Sequence, residues 1–153
     1  RVFNFLCKRF DYIVDDKDKY PGAPSVNVKI INKNEKFTLG EKEIIPIEVY
    51  HGKLPIIGYR IDNFAYLTDV KSISDSEILK LKKLDVLVLN ALRKKEHHSH
   101  LNLSEALELS KKINPKKTYL THISHHMGFH DEIQKILPKN IYVAYDNLSI
   151  KSK

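Results

Sequence analysis

The first fourteen residues, RVFNFLCKRFDYIV, set Val2, Phe3, Leu6, Phe10, Tyr12 and Ile13 among charged side chains, the pattern of an amphipathic segment. A polar stretch at 15–25 (DDKDKYPGAPS) interrupts it, and its Pro-Gly pair marks a loop. After that loop the hydrophobic period is close to two. Residues 26–31 (VNVKII) and 43–50 (EIIPIEVY) are β-branched runs, and the runs 56–61 and 64–69 flank Asp62-Asn63, a pair suited to a tight hairpin. Four strands of one meandering sheet are expected there.

From residue 74 the period lengthens to about 3.6. Ser74-Asp75-Ser76-Glu77 is a capping-box pattern ahead of Ile78, Leu79, Leu81 and Leu84, which predicts a helix over 75–84. Residues 86–92 (VLVLNAL) are short and almost continuously apolar, as a buried strand is. A second helix starts at Asn102, with Glu105 three residues on and Ala106, Leu107, Leu109 and Ile113 along it. Residues 118–123 (TYLTHI) predict another buried strand, 131–137 a short helix, and 141–146 a last strand. Strands that alternate with helices predict α/β layering, and no repeat or long linker divides the 153 residues, so a single domain is expected over 1–153.

Composition narrows the chemistry. At 42% hydrophobic and 29% charged the chain is ordinary for a globular protein, and no apolar run approaches a membrane span. A cytoplasmic protein is expected. One cysteine, Cys7, allows neither an internal disulfide nor a cysteine-based zinc site, so any metal would rest on carboxylates and the eight histidines. A net charge of +7 favours anionic partners, but the lysines are spread along the chain and no stacked aromatic-basic motif singles out nucleic acid.

The histidines are not scattered at random over the predicted elements. His51 ends one strand, Asp69 ends another and His122 lies near the end of a third, while His97, His98 and His100 follow a fourth. In layered α/β folds ligands gather where strand ends meet. Each residue also has a plainer reading. His51 beside Gly52 could be a turn residue, Asp69 a helix cap, His122 a core histidine, and 96–100 (EHHSH) a solvated loop. His125, His126 and His130 suit the surface. Imidazole and carboxylate are nevertheless the ligands that zinc, manganese or iron accepts when thiolates are absent, and Asp69 is the natural bridge between two ions.

The stretches HGKLPIIGYRIDNFAYLTD (51–69) and HLNLSEALELSKKINPKKTYLTHISHH (100–126) resemble the C-terminal half of metallo-β-lactamase-fold phosphodiesterases, in particular the cyclic-phosphate branch. The resemblance covers roughly 26–150. It implies the C-terminal half of an αβ/βα sandwich, with His51 on a first metal, Asp69 bridging, His122 on a second metal, and His100 as the catalytic histidine. His98 could take that last place if the loop is drawn differently. It further implies two divalent ions, zinc or manganese, and a small phosphoester substrate. A related tRNA 3′-processing nuclease is the less favoured alternative, because no extended basic arm is present, and a non-catalytic half-domain that binds a partner is the third reading. The family's His-x-His-x-Asp-His signature occurs nowhere in the sequence. With a start at Arg1 inside an amphipathic segment, this leads us to expect a truncated chain, inactive alone, whose exposed sheet favours a homodimer or strand exchange.

Overall fold

The structure is a computed structural model that describes residues 2–14, 20–24 and 26–151, and the chain falls into two compact units, 1–32 and 33–153. In the first unit the amphipathic segment forms two short helices, α1 (Val2–Arg9) and α2 (Asp11–Val14). No residue of α1 is buried, and the Arg9 guanidinium lies 4.9 Å from the Phe5 ring centroid. Of the loop predicted over 15–25, residues 15–19 and 25 lie outside the described residues. The Pro21-Gly22 turn is closed by Ala23 N–H donating to Tyr20 O at 3.0 Å.

The strand expected at 26–31 does not form. Its β-branched side chains alternate as a strand's would, but Val26, Val28 and Ile30 stay exposed, and alternation describes a surface without supplying a neighbouring ladder. The antiparallel run begins later. It comprises β1 (Phe37–Leu39), β2 (Lys42–His51), β3 (Leu54–Ile61) and β4 (Phe64–Leu67). Asp62 and Asn63 make the two-residue turn foreseen between β3 and β4, with Asp62 at φ 51° and Ile61 opposite Phe64.

The remaining strands, β5 (Val86–Asn90), β6 (Lys117–Thr121) and β7 (Ile141–Val143), add in parallel, so one seven-stranded sheet runs in sequence order from β1 to β7. The parallel crossovers carry α3 (Asp75–Leu79), α4 (Leu103–Ile113) and α5 (His130–Ile136). Ile47, Val49, Ala65, Leu67, Leu87, Leu89 and Leu120 form the core together with Ile78, Leu81, Ala106 and Ile113 from the α3 and α4 regions. The opposite face carries a cross-strand row of Tyr59, Tyr66, Val88, Tyr119 and Tyr142. Among the described residues no helix is long and apolar enough to cross a membrane.

Two local features follow from the residues present. Gly58 is required in β3, because a Cβ there would run into Leu67 Cδ2 and lie 3.0 Å from Tyr66 O. Pro46 stands inside β2, where a missing N–H would usually break a ladder. It does not, because β1 reaches only to Ile44 and the N–H groups of neighbouring even positions point away from β3: Glu48 N donates to Glu77 Oε2 at 3.0 Å and Tyr50 N to Ser72 O at 2.9 Å. Pro46 has no such donor to satisfy.

Candidate metal centre

Strands β2, β4, β5 and β6 run in the same direction, so their carboxyl ends share one end of the sheet. His51 is the last residue of β2. Asp69 lies two residues beyond β4, and His122 directly follows β6. Both adopt left-handed backbone, with φ 60° and 55°, a region that non-glycine residues seldom enter. His100 arrives on the loop after β5, two residues ahead of Asn102, which caps α4.

Main-chain hydrogen bonds tie these loops together. Lys71 and Ser72 donate to Tyr50 O, Leu101 donates to Val70 O at 2.7 Å, and Ala91 donates to Thr121 O at 3.0 Å. The strand-end geometry thus brings all four predicted residues to one place. One ligand-type atom from each of His51, Asp69 and His100 lies within 4.8 Å of the other two. His100 Nε2 donates to Asp69 Oδ1 at 2.9 Å, and His122 Nε2 is 3.4 Å from the same oxygen. The His100 ring centroid is 4.5 Å from that of His51, edge to face, and 4.8 Å from that of His122, stacked.

The carboxylate is electrostatically prepared for a cation. Burial pushes the Asp69 carboxyl up, but the His100 hydrogen bond and the electrostatic influence of His122, His100 and His51 outweigh it and hold the group below the usual carboxylate range. Two or three imidazoles around one ionised carboxylate, without a thiolate, fit zinc or manganese. The three groups that lie within ligand distance of one another are His51, Asp69 and His100, so His100, expected as the catalytic histidine, stands in a ligand position, while His122, expected as a ligand, approaches Asp69 from outside that trio.

The histidine-rich loop is more ordered than a solvated loop. His97 Nδ1 is 3.2 Å from His100 Nδ1, and Ser99 Oγ lies 3.0 Å from His100 Nδ1. Burial, and then the electrostatic influence of His98, Arg93, His100 and Lys71, lower the His97 pKa. His98 is exposed. His125 and His126 occupy a 3-10 turn, and His130 bonds Asp131 and Val143 O, so none of the three joins the cluster. One polar residue at this end of the sheet has no place in the sequence-based site: Asn90, fully buried at the end of β5, inside a run read as plain core. Its only signal is that it is the one polar residue among the apolar positions of VLVLNAL.

A family model described as "Beta-lactamase superfamily domain" matches residues 1–123. The chain is 38% identical over 148 residues to a Porphyromonas gingivalis protein named octanoyltransferase, covering 96% of this chain and 30% of that one. Among solved structures, a diphosphatase of the PhnP family superposes with a TM-score of 0.85 at 35% identity, over 99% of this chain and 55% of that chain. The metallo-β-lactamase fold protein YhfI from Bacillus subtilis gives 0.66 at 20% identity, over 90% and 58%, which shows the fold alone. The chain thus spans about a third to a little over half the length of these relatives. With the strand order, the strand-end cluster and the family match in agreement, the chain belongs to the β-lactamase superfamily and carries the metallo-β-lactamase fold.

Proposed function

We propose that this chain is the C-terminal part of a metal-dependent hydrolase that cleaves small phosphoesters, a phosphodiesterase whose dinuclear centre is completed by a preceding segment. The observation that carries the reading is the convergence of His51, Asp69, His100 and His122 from four separate strand ends. The 35% identity to a PhnP-family diphosphatase supports a small phosphate-containing substrate. The match to a protein named octanoyltransferase covers only 30% of that protein and gives no reason to assign acyl transfer here.

In this reading His51, Asp69 and His122 hold divalent ions, zinc or manganese, which when bound polarise a phosphoryl oxygen and acidify water. The chain's own part is to present ligands and to move one proton. Asp69, kept ionised by the surrounding imidazoles, is the anionic ligand able to bridge. His100 carries a proton on Nε2, the atom that faces Asp69 Oδ1, and from there it protonates the departing oxygen as general acid. Burial of His100 fixes its ring and limits the water that would compete for that proton.

Metal per chain, measured by plasma mass spectrometry on untagged protein purified without chelator, tests the ligands. Wild type is expected to retain zinc or manganese, and His51→Ala and Asp69→Ala to lose it. Equal metal in wild type and variants overturns the assignment. In a longer product of the same gene, His100→Ala is expected to cut turnover of a phosphodiester by roughly 10²–10⁴-fold with metal content unchanged. An unaltered rate removes His100 from the reaction.

A further inference from the structure

One of the ties between the site's loops is made by a fully buried carboxamide. Asn90 Oδ1 accepts from Val70 N at 2.8 Å, and its Nδ2 donates to Val70 O at 3.0 Å. The same Val70 oxygen accepts from Leu101 N at 2.7 Å. Val70 follows Asp69 and Leu101 follows His100, so one carboxamide braces the junction between the two loops whose side chains meet at 2.9 Å. Asn90 and Val70 are both fully buried.

We propose that Asn90 is a positioning residue that sets the spacing of Asp69 and His100 by clamping the main chain at Val70. The chemistry requires an amide. A carboxamide offers an acceptor and a donor side by side, which is what the N–H and C=O of one residue require. Leucine, of similar size, would leave the Val70 N–H without a partner in a dry interior. Aspartate would keep the acceptor but face a carbonyl oxygen with a second one. The need for a clamp is visible one residue earlier. Asp69 holds a left-handed backbone, a sparsely populated region even for aspartate, which enters it more readily than most side chains, and such conformations persist where neighbouring structure fixes them. Asn90 acts through the backbone and is not itself a catalytic residue. Its clamp stands on geometry alone, while its consequence for metal rests on the function proposed above.

The test uses the whole chain with Asn90→Ala, Asn90→Asp and, as a stability control, Ser110→Ala, which deletes the buried Ser110–Thr118 hydrogen bond of 2.7 Å elsewhere in the core. In Asn90→Ala the amides of Val70 and Leu101 are expected to exchange about tenfold faster by NMR, while Leu87 and Leu120 keep their rates. Through-space NMR contacts between the Asp69 and His100 side chains should weaken, and zinc affinity by calorimetry should fall about tenfold. Asn90→Asp keeps the acceptor and loses the donor, so it should recover protection at Val70 while the Asp69–His100 contacts still weaken, and those contacts decide the question if the alanine variant does not fold. Unchanged exchange at Val70 and Leu101 in Asn90→Ala overturns the proposal, as do unchanged Asp69–His100 contacts in either Asn90 variant, or Ser110→Ala reproducing the same pattern. A wild-type chain that takes up no zinc, with the exchange and contact changes present, overturns the metal reading and upholds the clamp.

Discussion

Asp69 and His122 were legible by type and by place: metal-ligand residues at the ends of apolar strands. Their left-handed backbone was not, because a single side chain gives no sign of φ unless it is glycine or part of a known turn. That conformation has a measurable cost. His122 is partly exposed and its backbone sits where an L residue loses roughly 1–2 kcal/mol, about half of which glycine's own entropy would take back. The metal-free His122→Gly chain is therefore expected to be more stable by about 0.5–1 kcal/mol, read as a higher urea midpoint, although it has lost a proposed ligand. A lower midpoint would show that the His122 ring contributes more through its contacts with His100 and Asp69 than its backbone costs. Asn90 was illegible for a different reason. Its role depends on a partner twenty residues away in sequence, and no local pattern encodes that distance.

At the scale of elements the sequence was most readable where local chemistry and tertiary need agree. The helix start predicted at Asn102 is present and takes the form of a capping box: Asn102 Oδ1 accepts from Glu105 N at 2.9 Å, and Asn102 N donates to Glu105 Oε2 at 2.8 Å. The helix predicted over 75–84 is cut to Asp75–Leu79. Lys83 turns left-handed, and Arg60 Nη1 takes the carbonyls of Lys80, which a longer helix would have used, and of Lys82. Leu81 and Leu84 are still buried, so a three-residue apolar spacing served a turn as well as a helix. Glu105 gives a pH test. Burial pushes its carboxyl up, but the Lys71 ion pair and the Asn102 N–H outweigh that and leave it below 4.5. A depressed carboxyl stabilises the fold above its unfolded pKa and loses that contribution as pH falls through the folded value. Glu105→Gln, which keeps the cap and loses the Lys71 ion pair, is accordingly expected to cost about 0.2–1 kcal/mol at pH 7 and progressively less below pH 4.5. Parallel stability curves for the two proteins across that range would remove Glu105 from the acid response.

For the whole molecule, the α/β layering and the shared end of the strands followed from alternation of short apolar runs with helices, whereas the antiparallel start was misplaced. Residues 26–31 have the stronger strand composition, yet Phe37–Leu39 forms the ladder, because three residues next to a Gly40 turn can fold back on β2 without a long loop to close. The outward side of β2 has a further consequence. Over 46–50 the even positions offer a proline with no donor, an N–H held by Glu77 and an N–H held by Ser72. A strand from another molecule laid along this margin finds no free N–H at 46, 48 or 50 with which to pair, which disfavours self-templated polymerisation there. Glu77→Ala bares the Glu48 N–H, and agitation assays with a fibril-binding dye are expected to register a shorter lag for that variant than for the parent. The buried Glu77 carboxylate thus closes a sheet margin as well as belonging to a helix.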